Sequence, residues 1–331
     1  MIHDTIVLGA GIAGLAAAGV LRGAGREVLV LEKSRGLGGR AATRRWDSLP
    51  VDHGAQFFTA RSGDFKKQVD TWVAQDICHE WCRGFHHYRS GQLSPPDGED
   101  HPRYACRGGM SSLGSALAAE HAIDVERETK VVAIGWESGA WILSCDDGSK
   151  RHAHRLVVTC PPPQGSALLA EAAPAAADLL QGIAMDPCLA VVAQFPRREI
   201  AWQGIQSDDA MLSWISHDTS KRFDLHGDRT VVVIHASPAF SRERYAAADQ
   251  DIIEAMLDRA SVISGTELTK PGGVFLQRWR YAMLTHAQGG APLVHFDVPA
   301  PLVLAGESFA GGKIEGAWLS GRAAGESLLR L

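Results

Sequence analysis

The 331-residue sequence contains no apolar run approaching the ~18 residues that a membrane-spanning helix requires. Its six cysteines, Cys78, Cys82, Cys106, Cys145, Cys160 and Cys188, include no Cys-x-x-Cys pair, which excludes a dithiol-based redox enzyme. Their scatter points to reduced thiols rather than a disulfide framework. Basic residues are no more numerous than acidic ones, 33 against 38, and the formal net charge of -5 gives nucleic acid no electrostatic footing. Met1-Ile2-His3-Asp4 lacks the positive start and apolar stretch of a secretion signal, so a cytoplasmic location is expected. No repeat at the roughly 20 to 50 residue periods of solenoids is visible. Cys78-His79-Glu80-Trp81-Cys82, with His86 and His87, has metal-ligand residue types but no matching second pair, so no metal is predicted.

What is present begins at once. Thr5 to Leu8 reads as an apolar strand, Ile12 to Leu21 as an Ala/Leu-rich helix closed by Gly23 and Gly25, and Glu27 to Leu31 as a second strand. Between the first strand and the helix, Gly9-Ala10-Gly11-Ile12-Ala13-Gly14 fits the G-x-G-x-x-G turn. In that turn the first glycine bends the chain, the second lets backbone approach a pyrophosphate, and the third lets helix pack on strand. The helix N-terminus offers free N–H groups to the phosphates. Glu32, at the end of the second strand, is placed to accept hydrogen bonds from ribose hydroxyls.

Residues 34–62 carry too many glycines for a regular element, and Asp64 to Asp76 reads as a helix with Phe65, Val69, Trp72 and Val73 on one face. Ser90 to Pro102 has loop composition, with Glu99 and Asp100, like Asp297 further on, as solvated charge. Ser111 to Glu120 is predicted helical. Strands follow at Thr129 to Trp136, Ala140 to Cys145 and Arg155 to Thr159, the last two joined through Asp147-Gly148. After the three prolines Pro161 to Pro163 come helical sequence over Ser166 to Gln181 and strands at Leu189 to Phe195, Thr230 to Ala236 and Val274 to Trp279. A helix is predicted over Asp249 to Ser264. Pro301 to Ala305 and a helix from Ile314 to Leu329 repeat the strand–glycine–helix form, which returns the chain to the nucleotide. The fold class expected is α/β (α+β overall). A Rossmann-like dinucleotide-binding part is assigned to residues 1–75, 103–160 and 288–331. A substrate part with an antiparallel sheet and helices is assigned to 76–102 and 161–287.

Three further segments separate FAD from NAD. Ser34 to Arg40 sets glycines and an arginine directly after the ribose acid; Arg40, beside Lys33, suits a bidentate grip on pyrophosphate. Asp52 to Arg61 offers Gly54-Ala55 for a flat ring to lie against backbone, the amide of Gln56, and the faces of Phe57 and Phe58. Thr59, Ala60 and Arg61 continue it towards a substrate. The third runs from Gly306-Glu307 to Ile314-Glu315-Gly316-Ala317, where Glu307 can bond hydroxyls of the ribityl chain and the helix start can face the flavin carbonyls.

These segments resemble the FAD-binding signature of the flavin amine oxidase superfamily, which includes monoamine oxidases, phytoene desaturases and protoporphyrinogen oxidases. The resemblance covers about residues 1–61 and 300–329 and implies a p-hydroxybenzoate-hydroxylase-like fold with non-covalent FAD. Gly108-Gly109-Met110 is similar to that family's turn before a helix, and Val131 sits where members hold the adenine through backbone groups. The family usually has Asp where this chain has Glu307. Within the superfamily the chain resembles the renalases, chiefly bacterial ones, through Lys33-Ser34-Arg35-Gly36, Gly54 to Arg61, His235-Ala236-Ser237-Pro238 before Ser241, Arg278 to Ala282, and Glu315 to Gly321. That resemblance implies oxidation of isomeric 2- or 6-dihydro-NAD(P) to NAD(P)+, with hydride passing to FAD and O2 reduced to hydrogen peroxide. Small pyridine nucleotides and O2 are then the partners, with neither nucleic acid nor a membrane.

Because the cofactor carries hydride chemistry, the protein need only position the reactants. The absence of a second G-x-G-x-x-G after a strand means a nicotinamide substrate would enter a pocket before the flavin. His235, on a strand, is the candidate catalytic residue there, against the alternative of a core histidine. Arg61, Arg103, Tyr104 and Trp279 are candidates for the pocket wall or a phosphate grip, or else ordinary ion-pair and packing residues. Amine or polyamine oxidation is the alternative chemistry, with Trp279 and Tyr281 as its aromatics; no cysteine follows Cys188, which excludes a flavin thioether near the C-terminus. A redox-inactive flavin protein is the third reading.

Overall fold

The structure, a computed structural model, describes residues 1–331 except 97, 99, 100, 287–290 and 298, and the side chains of Phe223 and His226. Glu99 and Asp100 therefore lie outside the described residues. The chain opens β1 (Ile2–Leu8), α1 (Ile12–Gly23), β2 (Val28–Leu31), as the apolar strand–glycine–helix pattern requires. It continues through β3 (Thr43–Trp46), β4 (Leu49–Asp52), α2 (Gly63–Ala74), β5 (Cys78–Cys82), β6 (His86–Arg89), β7 (Gln92–Ser94) and β8 (Arg103–Cys106). Then come α3 (Ser112–Glu120), β9 (Asp124–Glu126), β10 (Val131–Glu137), β11 (Ala140–Cys145), β12 (Lys150–Val158), α4 (Pro162–Leu169) and α5 (Pro174–Gln181). The second half holds β13 (Met185–Pro196), β14 (Gly204–Ser207), β15 (Leu212–His217), α6 (Phe223–His226), β16 (Arg229–Ala236), α7 (Pro238–Arg244) and α8 (Asp249–Ser264). β17 (Gly273–Leu284), β18 (Leu293–Phe296), β19 (Leu302–Ala305) and α9 (Lys313–Leu329) end it.

Two large sheets organise these elements. In the first, β9, β2, β1, β12 and β19 run parallel, and β10, β11 and β18 add antiparallel edges. β12 serves two neighbours on one side: Lys150 to Ala153 pair with β11, and Leu156 to Val158 pair with β19. The second sheet runs β17-β13-β16-β15-β14-β6-β7 and is antiparallel except between β14 and β6. The fully buried Val/Ile/Leu face of β13 and β16 packs on α8 through Ile252, Met256, Leu257 and Ala260. The mixed α/β class expected from the sequence is the one observed.

Several differences have local causes. The predicted helix over 166–181 is two, α4 and α5, because Pro174 cannot continue the helix before it and instead starts a new one. Their residues Leu169, Ala176, Ala177 and Leu180 pack with Ile6, Leu29 and Leu156 of the first sheet, although residues from 161 onward had been assigned to the substrate part. Residues 34–62 hold a hairpin, β3–β4, turned by Asp47 and Ser48 in left-handed conformations (φ 49° and 69°). Val73, expected on the apolar face of α2, is exposed, while Phe65, Val69 and Trp72 are buried. β5 and β8 pair around the Cys78 and Cys106 region, and β14–β15 form a hairpin beyond the strands expected from the sequence, its turn closed by the Ser207 and Asp209 side chains.

The termini meet. α9 crosses α1 so closely that a Cβ at Gly321 would lie 2.0 Å from the Ala13 carbonyl oxygen, and one at Gly325 would lie 2.8 Å from that of Ala17. Glycine four residues apart on α9 thus lets the last helix seat on the first.

Candidate active site

A cavity of about 1650 Å³ lies between the two sheets, larger than the roughly 300–1,000 Å³ of ordinary small-molecule pockets. Its long end is made by the glycine turn. Gly9 has φ 106°, and a Cβ on Gly14 would stand 1.9 Å from the Gly9 oxygen, so the third glycine is what lets α1 pack against the turn. Gly11 has open space where a Cβ would go, and Gly11, Ile12 and Ala13 line the cavity. Ala10 is buried behind it; its N–H donates to Glu32 Oε2 at 2.8 Å, while Ser34 N–H donates to Oε1 at 2.8 Å. Glu32 is thereby aimed, with lone pairs to spare, at the cavity that it and Lys33 line.

The second glycine run docks on the first. Gly38 and Gly11 form a bridge, Gly38 N–H donates to Ala10 O at 2.8 Å, and a Cβ on Gly39 would come within 3.2 Å of Gly11 Cα. Gly54 lies so close to Arg40 that a Cβ would sit 2.1 Å from its carbonyl oxygen, which leaves Gly54 and Ala55 as flat cavity wall. Arg40 donates to Glu307 and, at 3.2 Å, to the Ala282 carbonyl, so three distant segments converge on one guanidinium. Gly306, Ile314, Glu315 and Ala317 complete this wall; Gly316 lies behind it, packed against the Ala310 carbonyl. Val131 also lines the cavity, at a bulge where its ladder with β11 shifts register and frees backbone groups.

Some sequence expectations need correction. Both amide hydrogens of Gln56 are already used, by Asp52 O at 2.7 Å and Gly54 O at 3.1 Å, and its Oε1 accepts from Lys221 at 3.0 Å, so its amide is bonded into the protein. The Glu315 carboxylate accepts from the N–H groups of Arg61 and Ser62, the latter at 2.7 Å, and so ties α9 to the start of α2. Phe58 is a core residue stacked on Tyr104, with ring centroids 5.4 Å apart. Tyr104, Arg103, Ala60 and Arg61 are not on the cavity wall; the Arg103 guanidinium is buried against His101 O and over the Phe85 ring. Phe57, Phe58 and Thr59 do reach it, and Phe57 joins an aromatic cluster with Phe85 and Trp214.

The opposite wall is the second sheet. Its residues His235, Trp214, Cys188 and Trp279 line the cavity. They share a face because Ala190 and Trp214 flank His235, and Cys188 is opposite Trp279. Burial, reinforced by the positive charge of Lys221, pushes His235 down to about 4, so the ring is neutral at physiological pH. Burial pushes the Cys188 and Cys160 thiols up to about 12, and neither is a thiolate nucleophile. His53, unremarked in the sequence, stacks on Trp279 at 5.5 Å and 15°, and its carbonyl accepts from Trp279 Nε1 at 2.8 Å.

Behind this wall sits a charge cluster with no sequence signal. Asp52, Asp218, Lys221 and Arg222 are fully buried. Lys221 Nζ donates to Asp218 at 2.8 Å and Asp52 at 3.3 Å; Arg222 donates to Asp218 at 2.8 Å and Asp52 at 2.5 Å. Burial works to raise the Asp52 carboxyl, but Arg222 and Lys221 override it and hold it at about 2. The cluster is neutral overall and joins the loop of the cavity floor to the second sheet.

Residues 7–72 match the family of NAD(P)-binding Rossmann-like domains, and residues 80–329 match that of flavin-containing amine oxidoreductases. The chain belongs to the flavin-containing amine oxidoreductase family. Over 54 residues it is 50% identical to a protein named as a flavin-containing monoamine oxidase, AofH, of Mycobacterium tuberculosis; the match spans 16% of this chain and only 12% of that one. Among solved structures, a protein named as a protoporphyrinogen oxidase of Exiguobacterium sp. 255-15 superposes with TM-score 0.80 at 16% identity, covering 99% of each chain. Cyclohexylamine oxidase of Brevibacterium oxydans does so with TM-score 0.76 at 13% identity, covering 100% of this chain and 99% of that one. These likenesses show the fold. The cofactor of this family member is FAD. The glycine cradle, Glu32 on the cavity wall and the first turn of α1, whose N-cap Gly11 supplies no side-chain cap, are of the kind that fit it.

Proposed function

We propose that the protein is an FAD-dependent oxidase that takes a hydride from a flat nitrogen heterocycle, a 2- or 6-dihydro isomer of NAD(P)H, and releases NAD(P)+. The observation that carries this reading is the chemistry of the second-sheet wall: a neutral histidine, His235, between Trp214 and Trp279, with no carboxylate among the described residues of that sheet that line the cavity. A wall of that kind suits a neutral ring and offers an ammonium ion no counter-charge. FAD, when bound, would supply a two-electron acceptor, and O2 would reoxidise it while itself being reduced to hydrogen peroxide.

The residues themselves orient and exclude water. Trp214 and Trp279 give broad faces for a planar substrate. His235, kept neutral, serves as a hydrogen-bond partner and places no positive charge beside a ring that becomes cationic on oxidation. Glu32 holds ribose hydroxyls; Lys33 and Arg40 are assigned to the phosphates, Arg40 exchanging its bond to Glu307 for one to pyrophosphate. Val131 offers backbone to the adenine, and Gly54-Ala55 a flat seat for the ring.

The aromatic pair favours a second reading, oxidation of a small amine, which the family also accommodates. One experiment separates the two. The FAD-loaded protein is mixed anaerobically with 2- and 6-dihydro-NAD(P), ordinary NAD(P)H and a panel of amines while flavin absorbance is followed. Rapid bleaching by the dihydro isomers supports the proposal; bleaching by amines alone overturns it. No bleaching by any of them leaves a redox-inactive flavin protein.

A further inference from the structure

Cations outnumber carboxylates among the described residues that line the cavity, although the chain as a whole has a formal net charge of -5. Arg35, Arg127 and Lys130 belong with Lys33 to the ribose end, where the Thr129 N–H donates to Glu32 O at 2.9 Å. Arg280 and Lys313 belong to neither the ribose nor the pyrophosphate grip, and neither has a hydrogen bond or ion pair among the described residues. Both stay exposed while lining the cavity, so they are at its mouth and open to a solute.

Local structure puts them there. Cys188 is opposite Trp279 and Asp186 is opposite Met283, so β13 has the single residue Pro187 where β17 has Arg280, Tyr281 and Ala282. Pro187 has no N–H to give the ladder, and the longer strand bulges at the cavity. Lys313 holds φ 64° directly after Gly311 and Gly312, a left-handed conformation that strains a lysine and would not strain a third glycine. The two segments meet. Arg40 donates to Glu307 and to the carbonyl of Ala282 in the bulge, while the Gly312 N–H donates to Glu307 O at 2.9 Å. The nearby carboxylates are already engaged, Glu307 by Arg40 and Glu315 by the N–H groups of Arg61 and Ser62.

We propose that Arg280 and Lys313 grip a phosphate of the substrate at the cavity mouth, the 5′-phosphate that a pyridine nucleotide carries on its nicotinamide ribose. Two cations without counter-charges complement a phosphate and repel the ammonium group of an amine. The inference rests on the dihydronicotinamide reading and names the second part of that substrate which the protein recognises.

Binding of nicotinamide mononucleotide and nicotinamide riboside to the FAD-loaded protein, read from the perturbation of flavin absorbance, tests it. The two probes differ only in the phosphate, and both are oxidised, so neither reduces the flavin. Wild-type protein should bind the mononucleotide about tenfold more tightly, the lower end of what one charge-assisted hydrogen bond is worth. That preference should shrink as NaCl is raised from about 0.05 to about 0.5 M, because exposed charges are screened. Arg280→Met and Lys313→Met should each reduce it, the double variant should erase it, and Arg280→Lys should retain part of it. Riboside affinity and FAD content should not move. Should the double variant lose FAD, the single variants carry the comparison. Equal binding or no binding of the two probes by wild type, or equal weakening of both by the variants, overturns the grip. Failure of the dihydro isomers to bleach the flavin, with the phosphate preference intact, removes the proposed reaction and leaves the grip standing.

Discussion

Replacing Asp52 by Asn tests whether the buried cluster holds the cavity together. In the wild type one carboxylate oxygen accepts from Lys221 and Arg222, and the other from Thr43 Oγ1 at 2.7 Å and Met110 N–H at 2.8 Å. Asn keeps the shape but removes the charge, so the cluster changes from neutral to one net positive charge at zero solvent exposure. Its amide must also direct hydrogens towards one of two sets of donors. Breaking a buried pair in this way costs about 3–5 kcal/mol. For a chain of this size, with an unfolding entropy of roughly 0.7 kcal/mol/K, that corresponds to a melting point lower by about 4–7 °C. The measurement is a thermal melt of apoprotein and FAD-loaded protein, followed by circular dichroism and flavin fluorescence. Removing one cation as well, in Asp52→Asn/Lys221→Met, restores neutrality and should recover at least half of the loss. A drop of less than about 1 kcal/mol in the single variant, or a double variant no better than it, would refute the account. The same pairing has a pH signature. Because the folded-state value of Asp52 lies below its ordinary 3.8, its contribution is full above that value and fades as pH falls towards about 2. Near-neutral stability should therefore be insensitive to this group, with the loss confined to strong acid.

Other expectations are narrower. Gly11→Val fills open cavity space, so the apoprotein should melt within about 1 kcal/mol of wild type while purifying without yellow colour; retained FAD would contradict the cradle. Gly321→Val sets a side chain into the Ala13 carbonyl and should cost about 3 kcal/mol or more in a urea titration, with FAD lost in parallel. His235, held at about 4 against its ordinary 6.5, is neutral in the fold while the unfolded chain takes up a proton. Stability should therefore fall as pH drops from about 6.5 to about 4, and His235→Asn should flatten that part of the profile; an unchanged slope assigns it elsewhere. His235→Ala should slow flavin reduction without releasing FAD, as seen by stopped-flow absorbance.

What the sequence disclosed follows from distance along the chain. The Gly9 to Gly14 turn, Glu32 and the strands around them are local patterns, so periodicity and glycine placement revealed them. Arg40 and Glu307 are legible separately as cavity residues, but their direct ion pair, with the Ala282 carbonyl as a further acceptor of Arg40, joins segments that no local pattern relates. Gln56 shows the limit clearly: it lines the cavity, but its amide oxygen is taken by Lys221, 165 residues away, and its amide hydrogens by the Asp52 and Gly54 carbonyls. Asp218, Lys221 and Arg222 look like an ordinary charged surface turn until burial removes the solvent. Arg103 and Tyr104 read as site residues from their type and neighbourhood, whereas pairing of their strand with β5 sets them off the cavity wall.

The crossing of α9 on α1 bears on how the protein comes into being. A ribosome makes the glycine turn about 300 residues before the helix that braces it, with β12 still to be laid beside β1 and β19 beside β12. Nascent chains therefore hold an exposed, half-built cradle until α9 emerges, and contacts of such sequence separation form slowly. Shortening the message so that Gly321 and Gly325 are never made would leave a chain with every phosphate-facing residue present and no means of keeping them in place.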